Sequence, residues 1–317
     1  ASTPCMTTTT SPHMPIPTII PMGTTTTTLT GMTVNAAAAI PTRTPTRMAD
    51  LRGLSDAARD DAAAPCAPTS RPAGEADTPP APTLSALCAL LHLASPQLPV
   101  GGFSYSQGLE AAIAHGLVTD EASARTWIAQ VLELGFARCE GPLWLLQWQA
   151  WQAHDMRALR AWNTWFLASR DSSEARAETL QMGWSLQRLL LAVEWGGASF
   201  APTRATLAAL PDPEEGVAYP TAFACACAAI EAAPAHALAA YAFAWLENQV
   251  AAAIKAVPLG QVAGQRILLA LHPLLDRAVA EAGARAAHSP PQLDTLAPQW
   301  SVLQARHETQ YSRLFRS

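Results

Sequence analysis

The sequence predicts an all-α protein: a compact bundle of roughly nine or ten helices preceded by a disordered N-terminal extension. Three observations carry this. From Thr83 onward, apolar residues recur at spacings of three and four with Pro or Gly as punctuation, and no alternating β-branched run interrupts them. Residues 1–83 are instead runs of Thr, Pro and Ala such as TTTTSPHMPIP and GTTTTTLTGM. Every Phe, Trp and Tyr lies at or beyond Phe103 and the first acidic residue is Asp50, so that stretch has no mass for a core and cannot offset the entropy of ordering itself. Finally, no fixed repeat of roughly 20 to 50 residues recurs, which favours a bundle over a solenoid.

The elements follow in order. Leu84–Ala94 is a short apolar helix ended by Ser95-Pro96, and the loop PQLPVGG follows. Ser104 opens the next helix with Gln107 in capping-box position, and Gly116 closes it. Asp120 begins a long helical stretch to about Ala153, bent near Gly141-Pro142 where proline removes a backbone donor. A helix over Met156–Ala168 comes next. Asp171 with Glu174 caps another that reaches Trp195, where Gly196-Gly197 stops it. Pro202 suits the first turn of a helix over residues 203–210, and PDPEEG is a loop. Helices over residues 220–233, 235–257 and 261–287 complete the bundle; in the last, Ile267, Leu271, Leu274 and Leu275 form the inward stripe.

The chain therefore divides into an extension, 1–83, and a helical domain, 84–317. A secretory signal is excluded because Pro12, Pro15, Pro17 and Pro21 break every apolar run. A transit-like segment, with Arg43 and Arg47 in acid-free sequence, and an over-long start both remain open; five of the seven Met residues fall in this stretch. The net charge of −5, with acids and bases scattered, offers no basic stripe for nucleic acid. The most apolar region, residues 219–257, is interrupted by Glu231, Pro234, His236, Glu247 and Lys255, so no membrane span is expected. Of six cysteines, four sit in Ala/Leu-rich contexts and read as reduced thiols of a cytoplasmic protein.

The catalytic inventory is thin. No zinc helix, phosphate loop or nucleophile elbow is present, and Gly101-Gly102 lacks the lysine a nucleotide loop needs. Cys225 and Cys227 invite a metal reading, but residues two apart on a helix point roughly 200° apart, so small core residues are the better reading. No catalytic residue, metal ligand or cofactor is expected. Trp144, Trp148 and Trp151 form one helical stripe and Trp162 with Trp165 a second cluster, which are core positions or a partner face. Lys255 is the single lysine against nineteen arginines and lies just before Pro258, as a helix-end charge or as a functional ammonium. The terminal HETQYSRLFRS carries Tyr311, Leu314 and Phe315 with Arg313 and Arg316 between them. Such types are enriched where proteins grip one another, so the tail is a docking segment or a terminal helix packed on its own domain.

SPQLPVGGFSYSQGLE (95–110), KAVPLGQVAGQ (255–265) and HETQYSRLFRS (307–317), with ETLQMGWSLQRL (178–189) as a weaker fourth match, resemble the urease accessory protein UreF family. The resemblance spans about residues 84–317; the Thr/Pro-rich opening has no counterpart in it. It implies an all-α homodimer with no chemistry of its own. Such a protein binds UreD (UreH in some organisms) and recruits the GTPase UreG to deliver nickel to apo-urease. By that resemblance, His307, Glu308, Gln310, Tyr311, Arg313, Leu314, Phe315 and Arg316 are expected to dock UreD. Lys255, Gln261, Gln265 and Arg266 are expected to face UreG. Gly102, Phe103, Ser104, Tyr105 and Glu110 belong to a loop that is either architectural or a contact surface.

Overall fold

A computed structural model of the chain describes residues 80–210 and 215–317. The extension expected over 1–83 therefore lies outside the described residues as far as residue 79, and so does most of the PDPEEG loop. Among the described residues the regular structure is helical, with no strand. The helices are α1 (Leu84–Ala94), α2 (Leu109–Ala114), α3 (Glu121–Val131), α4 (Gly141–Gln152), α5 (Met156–Ala168), α6 (Ser173–Ala192), α7 (Ala201–Ala209), α8 (Tyr219–Ala228), α9 (Pro234–Ala256), α10 (Gln261–Ala286) and α11 (Pro298–His307).

Helix α8 is the centre of the bundle. Every residue from Pro220 to Cys227 is buried, and α4 and α6 pack along it. A helix apolar on all sides has no solvent face to offer, so it is enclosed by others. Cys225 and Cys227 sit in this core at 0% and 1% exposure; the geometry that separates their sulfurs on the helix leaves both packed among neighbours. Trp144 and Trp151 of α4 are likewise core, Trp151 donating to the Thr221 carbonyl at 3.0 Å. Trp162 and Trp165 pack on a smaller cluster of Leu143, Phe166, Leu167 and Ala218. Helix α9 pairs with α10, and α10 lies against α4 and the segment that precedes it.

Several boundaries differ from the sequence expectation, each for a local reason. The stretch from Asp120 does run as one helical path, opened by a reciprocal Asp120–Ser123 capping box. Its middle, Leu132–Glu140, is however a π-helix rather than a simple bend. Pro142 has no N–H to offer the Arg138 carbonyl, and the backbone N–H of Asp294 supplies that bond at 2.9 Å. Within the π-segment Gly135 is required by packing: a Cβ there would lie 2.5 Å from the Trp300 ring. Ser172, not Asp171, caps α6 by accepting from Ala175 N–H at 3.0 Å, while Asp171 is taken up by the Ser301 hydroxyl at 2.6 Å. Helix α6 ends at Ala192 rather than Trp195, and α8 ends at Ala228 rather than near Ala233. The sequence reading placed no helix at Pro298–His307, whose polar residues hide its period.

The clearest correction concerns the first motif. Ser104 does not open a helix; Gly102–Ser104 is a 3₁₀ turn, and α2 starts five residues later. Gln107 is no capping residue. It adopts φ of 53° ahead of Gly108 at 83°, a left-handed pair that turns the chain into α2. A non-glycine residue holds that conformation only where its surroundings over-determine it. Gln107 Nε2 donates to Glu178 at 2.6 Å, its Oε1 accepts from Trp245 at 2.6 Å, and its backbone carbonyl accepts from the Trp300 indole at 2.7 Å.

No helix among the described residues is long and apolar enough to cross a membrane.

Candidate functional site

The three motifs singled out in the sequence meet at one place, where the chain after α11 folds back over α2 and the start of α6. His307 closes α11 with its side chain fully buried. Its Nδ1 lies 2.6 Å from Glu174 of α6 and its Nε2 lies 3.0 Å from Glu110 of α2. Glu110 also accepts the backbone N–H groups of Leu314 at 2.6 Å and Phe315 at 3.0 Å. Glu308 accepts from Ser173 N–H and Oγ at 2.7 and 2.8 Å. It thereby places a carboxylate on the N-terminus of α6, where the helix dipole favours it. Those hydrogen bonds, the Ser173 hydroxyl first, hold the Glu308 carboxyl below its usual range.

The final residues continue the docking. Arg313 reaches Glu174 at 2.5 Å, and Arg316 N–H donates to the Ser104 carbonyl at 2.8 Å. Ser106 donates its N–H to the Ser317 carbonyl at 2.8 Å, and the Ser317 hydroxyl donates to Glu178 at 2.7 Å. Glu178 is held from the tail on one oxygen and from Gln107 on the other. Burial pushes its carboxyl up to about 7 against the lowering effect of those two bonds. Burial also raises the Tyr105 hydroxyl, opposed by a hydrogen bond with the Arg316 side chain.

Ser104, Tyr105, Ser106 and Glu110 thus form the seat that holds the tail, while Gly102 and Phe103 begin the 3₁₀ turn that leads into it. Gln310 bonds locally to the Ser312 carbonyl at 2.9 Å. Two of the tail's three large apolar side chains are turned outward: Tyr311 is fully exposed and Leu314 is 71% exposed, whereas Phe315 is buried at 6%. The alternative of a tail packed on its own domain therefore holds for Phe315 and fails for Leu314.

Lys255 stands at the edge of this seat. Its Nζ lies 5.7 Å from the Phe103 ring and 5.7 Å from the Phe315 ring, one cation between an aromatic of the first motif and one of the tail. Gln261, Gln265 and Arg266 are exposed on the first turns of α10. Arg266 is already engaged, Nε at 2.9 Å and Nη2 at 2.6 Å from the two oxygens of Glu121 on α3.

Behind Gln107 and Glu178 lies a cavity of about 230 Å³ whose wall includes Glu140, Arg170, Tyr241 and Trp245. Tyr241 donates to Glu140, and the Arg170 guanidinium lies 3.9 Å over the Phe166 ring. Burial raises the Tyr219 and Tyr241 hydroxyls that line this space. It also raises the thiols of Cys225 and Cys227 in the core, which keeps them protonated and unreactive. Among the described residues, no group of three or more His, Cys, Asp or Glu is arranged to hold a metal ion.

Sequence reasoning missed Ser106, Gln107 as a tether, Glu174 as a partner of His307, and Glu121. Glu178 had a signal, since it opens the weaker fourth motif.

Residues 118–272 match the family model described as UreF. The urease accessory protein UreF of Delftia acidovorans is 73% identical over 235 residues, covering 74% of this chain and 98% of that protein. The UreF protein of Ralstonia pickettii is 58% identical over 231 residues, 73% of this chain and 97% of its own length. The bifunctional urease accessory protein UreEF of Bordetella bronchiseptica is 57% identical over 239 residues, 74% of this chain and 53% of that longer protein.

Proposed function

The chain belongs to the urease accessory protein UreF family, and from that membership we propose that it is a non-catalytic scaffold in urease maturation. In this reading it is a cytoplasmic homodimer that binds UreD (or UreH) and recruits and regulates the GTPase UreG for nickel insertion into apo-urease. A scaffold of this kind works by linkage: binding one nucleotide state of the GTPase better than the other shifts their balance by that difference in affinity.

The observation that carries the reading is the division of labour within the tail. Its backbone and its His307, Glu308, Arg313 and Phe315 side chains are spent on the domain, while Tyr311 and Leu314 project into solvent. Exposed aromatic and aliphatic anchors on a segment held in place cost little conformational entropy to bind, which suits a docking surface for UreD. The exposed Lys255, Gln261 and Gln265 lie to one side and are the candidates for contact with UreG; Arg266 would meet it as a pair with Glu121. The fused UreEF relative, whose name joins two accessory proteins in one chain, supports a role within an assembly.

The test is co-expression with UreD and UreG followed by sizing of the complex. Tyr311→Ala with Leu314→Ala should weaken UreD capture at least about tenfold with helicity unchanged. Lys255→Ala should weaken UreG recruitment while UreD capture persists. Retention of both partners by both variants would remove the assignment. Deleting residues 307–317 is the wrong variant, because it uncovers Glu110, Glu174 and Glu178 together.

A further inference from the structure

The buried end of the tail carries a feature that docking alone does not require. Both ring nitrogens of His307 face carboxylates, Nδ1 at 2.6 Å from Glu174 Oε2 and Nε2 at 3.0 Å from Glu110 Oε2, with the side chain at 0% exposure. A neutral imidazole has one N–H and one lone pair, so one of these contacts would set a lone pair against a carboxylate; the imidazolium donates at both. The carboxylates are not free to turn away. Glu110 also accepts Leu314 and Phe315 N–H, and Glu174 also accepts Arg313.

We propose that the Glu110–His307–Glu174 chain is a proton-dependent latch that holds the tail while the imidazole is charged and releases it when that proton is lost.

The charges around the latch support the idea. With the imidazolium, His307 and Arg313 balance Glu110 and Glu174. Loss of the proton leaves one uncompensated negative charge in a buried site, which is costly. The other charged groups nearby have their own partners: Glu308 is on Ser173, and Arg316 is bonded to Tyr105. Glu178 of α6, bound to Gln107 and Ser317, acts in the same direction. Burial holds its carboxyl at about 7, so rising pH ionises it in a site that the tail helps to cover. Acid keeps the tail docked and alkali loosens it. Release would also change what a partner meets, since Phe315 and the backbone at Leu314 become free along with Tyr311.

The test uses the full chain and trypsin between about pH 6 and about pH 9, the window in which histidine charge changes. Cleavage after Arg313 is followed by mass spectrometry and divided, at each pH, by the rate for the free peptide 307–317. The wild-type ratio should rise at least about tenfold across the window, the equivalent of one pH unit of coupling, while helical circular dichroism stays constant. Glu174→Gln removes one of the two carboxylates that face the imidazole and should move the rise to lower pH. His307→Gln should cut the rise to the part that Glu178 supplies, and His307→Gln combined with Glu178→Gln should leave a ratio that no longer depends on pH. A flat wild-type profile overturns the proposal, and so does a rise that Glu174→Gln leaves in place. A rise abolished by Glu178→Gln alone would assign the switch to Glu178 and equally overturn it. Should His307→Gln fail to fold, the comparison of Glu174→Gln with Glu178→Gln still decides.

Discussion

Gly183 of α6 and the carbonyl of Val217 ahead of α8 approach so closely that a Cβ on residue 183 would lie 2.0 Å from the Val217 oxygen. The atom in the way is backbone, at the entry to the most enclosed helix of the fold, and it cannot swing aside as a flexible side chain would. Gly183→Ala is therefore expected to destabilise the domain by about 3 kcal/mol, the upper end of the usual cost of overpacking. The urea unfolding midpoint reports it; a midpoint within error of wild type would mean that α6 and α8 slide apart freely.

Asn163 organises the same region from the other side. Its Oδ1 accepts from Ala218 N–H at 2.9 Å and from Thr221 Oγ1 at 3.0 Å, and its Nδ2 donates to the Gly216 carbonyl at 3.0 Å. Removing it leaves buried backbone groups unpaired, which costs more than the bonds themselves were worth. Asn163→Ala should lose about 2 to 4 kcal/mol by urea unfolding, and Asn163→Asp, which buries a carboxylate oxygen against the Gly216 carbonyl, should lose at least as much.

Within the tail, exposure separates two neighbouring aromatics. Phe315 is buried and Tyr311 is fully exposed. Phe315→Ala should cost about 3 kcal/mol and speed proteolysis of the tail. Tyr311→Ala should leave stability within about 0.5 kcal/mol of wild type, so any effect it has on partner capture reads binding alone.

Glu178 sets a pH dependence of stability. Its value in the fold, about 7, lies above the ordinary 4.5, so folding favours the protonated form. That contribution is fully present below about 4.5 and is lost as the pH rises through about 7. Urea midpoints should fall across this window in wild type, and the fall should be shallower in Glu178→Gln.

The cysteines should divide by burial. Cys88 is exposed, whereas Cys139, Cys225 and Cys227 are buried, and burial raises the Cys139 thiol to about 11. Of these four, peptide mapping after brief alkylation of the native protein should find Cys88 labelled first, and the other three should react only on unfolding.

What the residues reveal without coordinates is governed by short-range physics. The bounds of α1 and α5, the cap at Asp120, the proline starts of α7 and α8 and the buried stripe of α10 all follow from periodicity and capping within a turn or two of chain. Family membership was legible for a similar reason, because its motifs are contiguous strings. The tertiary structure alone decided where those strings go. Gln107 reads locally as a capping residue, yet it is drawn into a left-handed turn by Glu178, Trp245 and Trp300 from three distant helices. The tail reads as a docking segment or a terminal helix, and nothing local names its partners, yet Glu110 and Glu174 hold it from about 200 and 130 residues away along the chain. A lone carboxylate looks the same in sequence whether it faces water or closes over a histidine. Only the packing that brings the second partner sets its burial, and burial sets its charge.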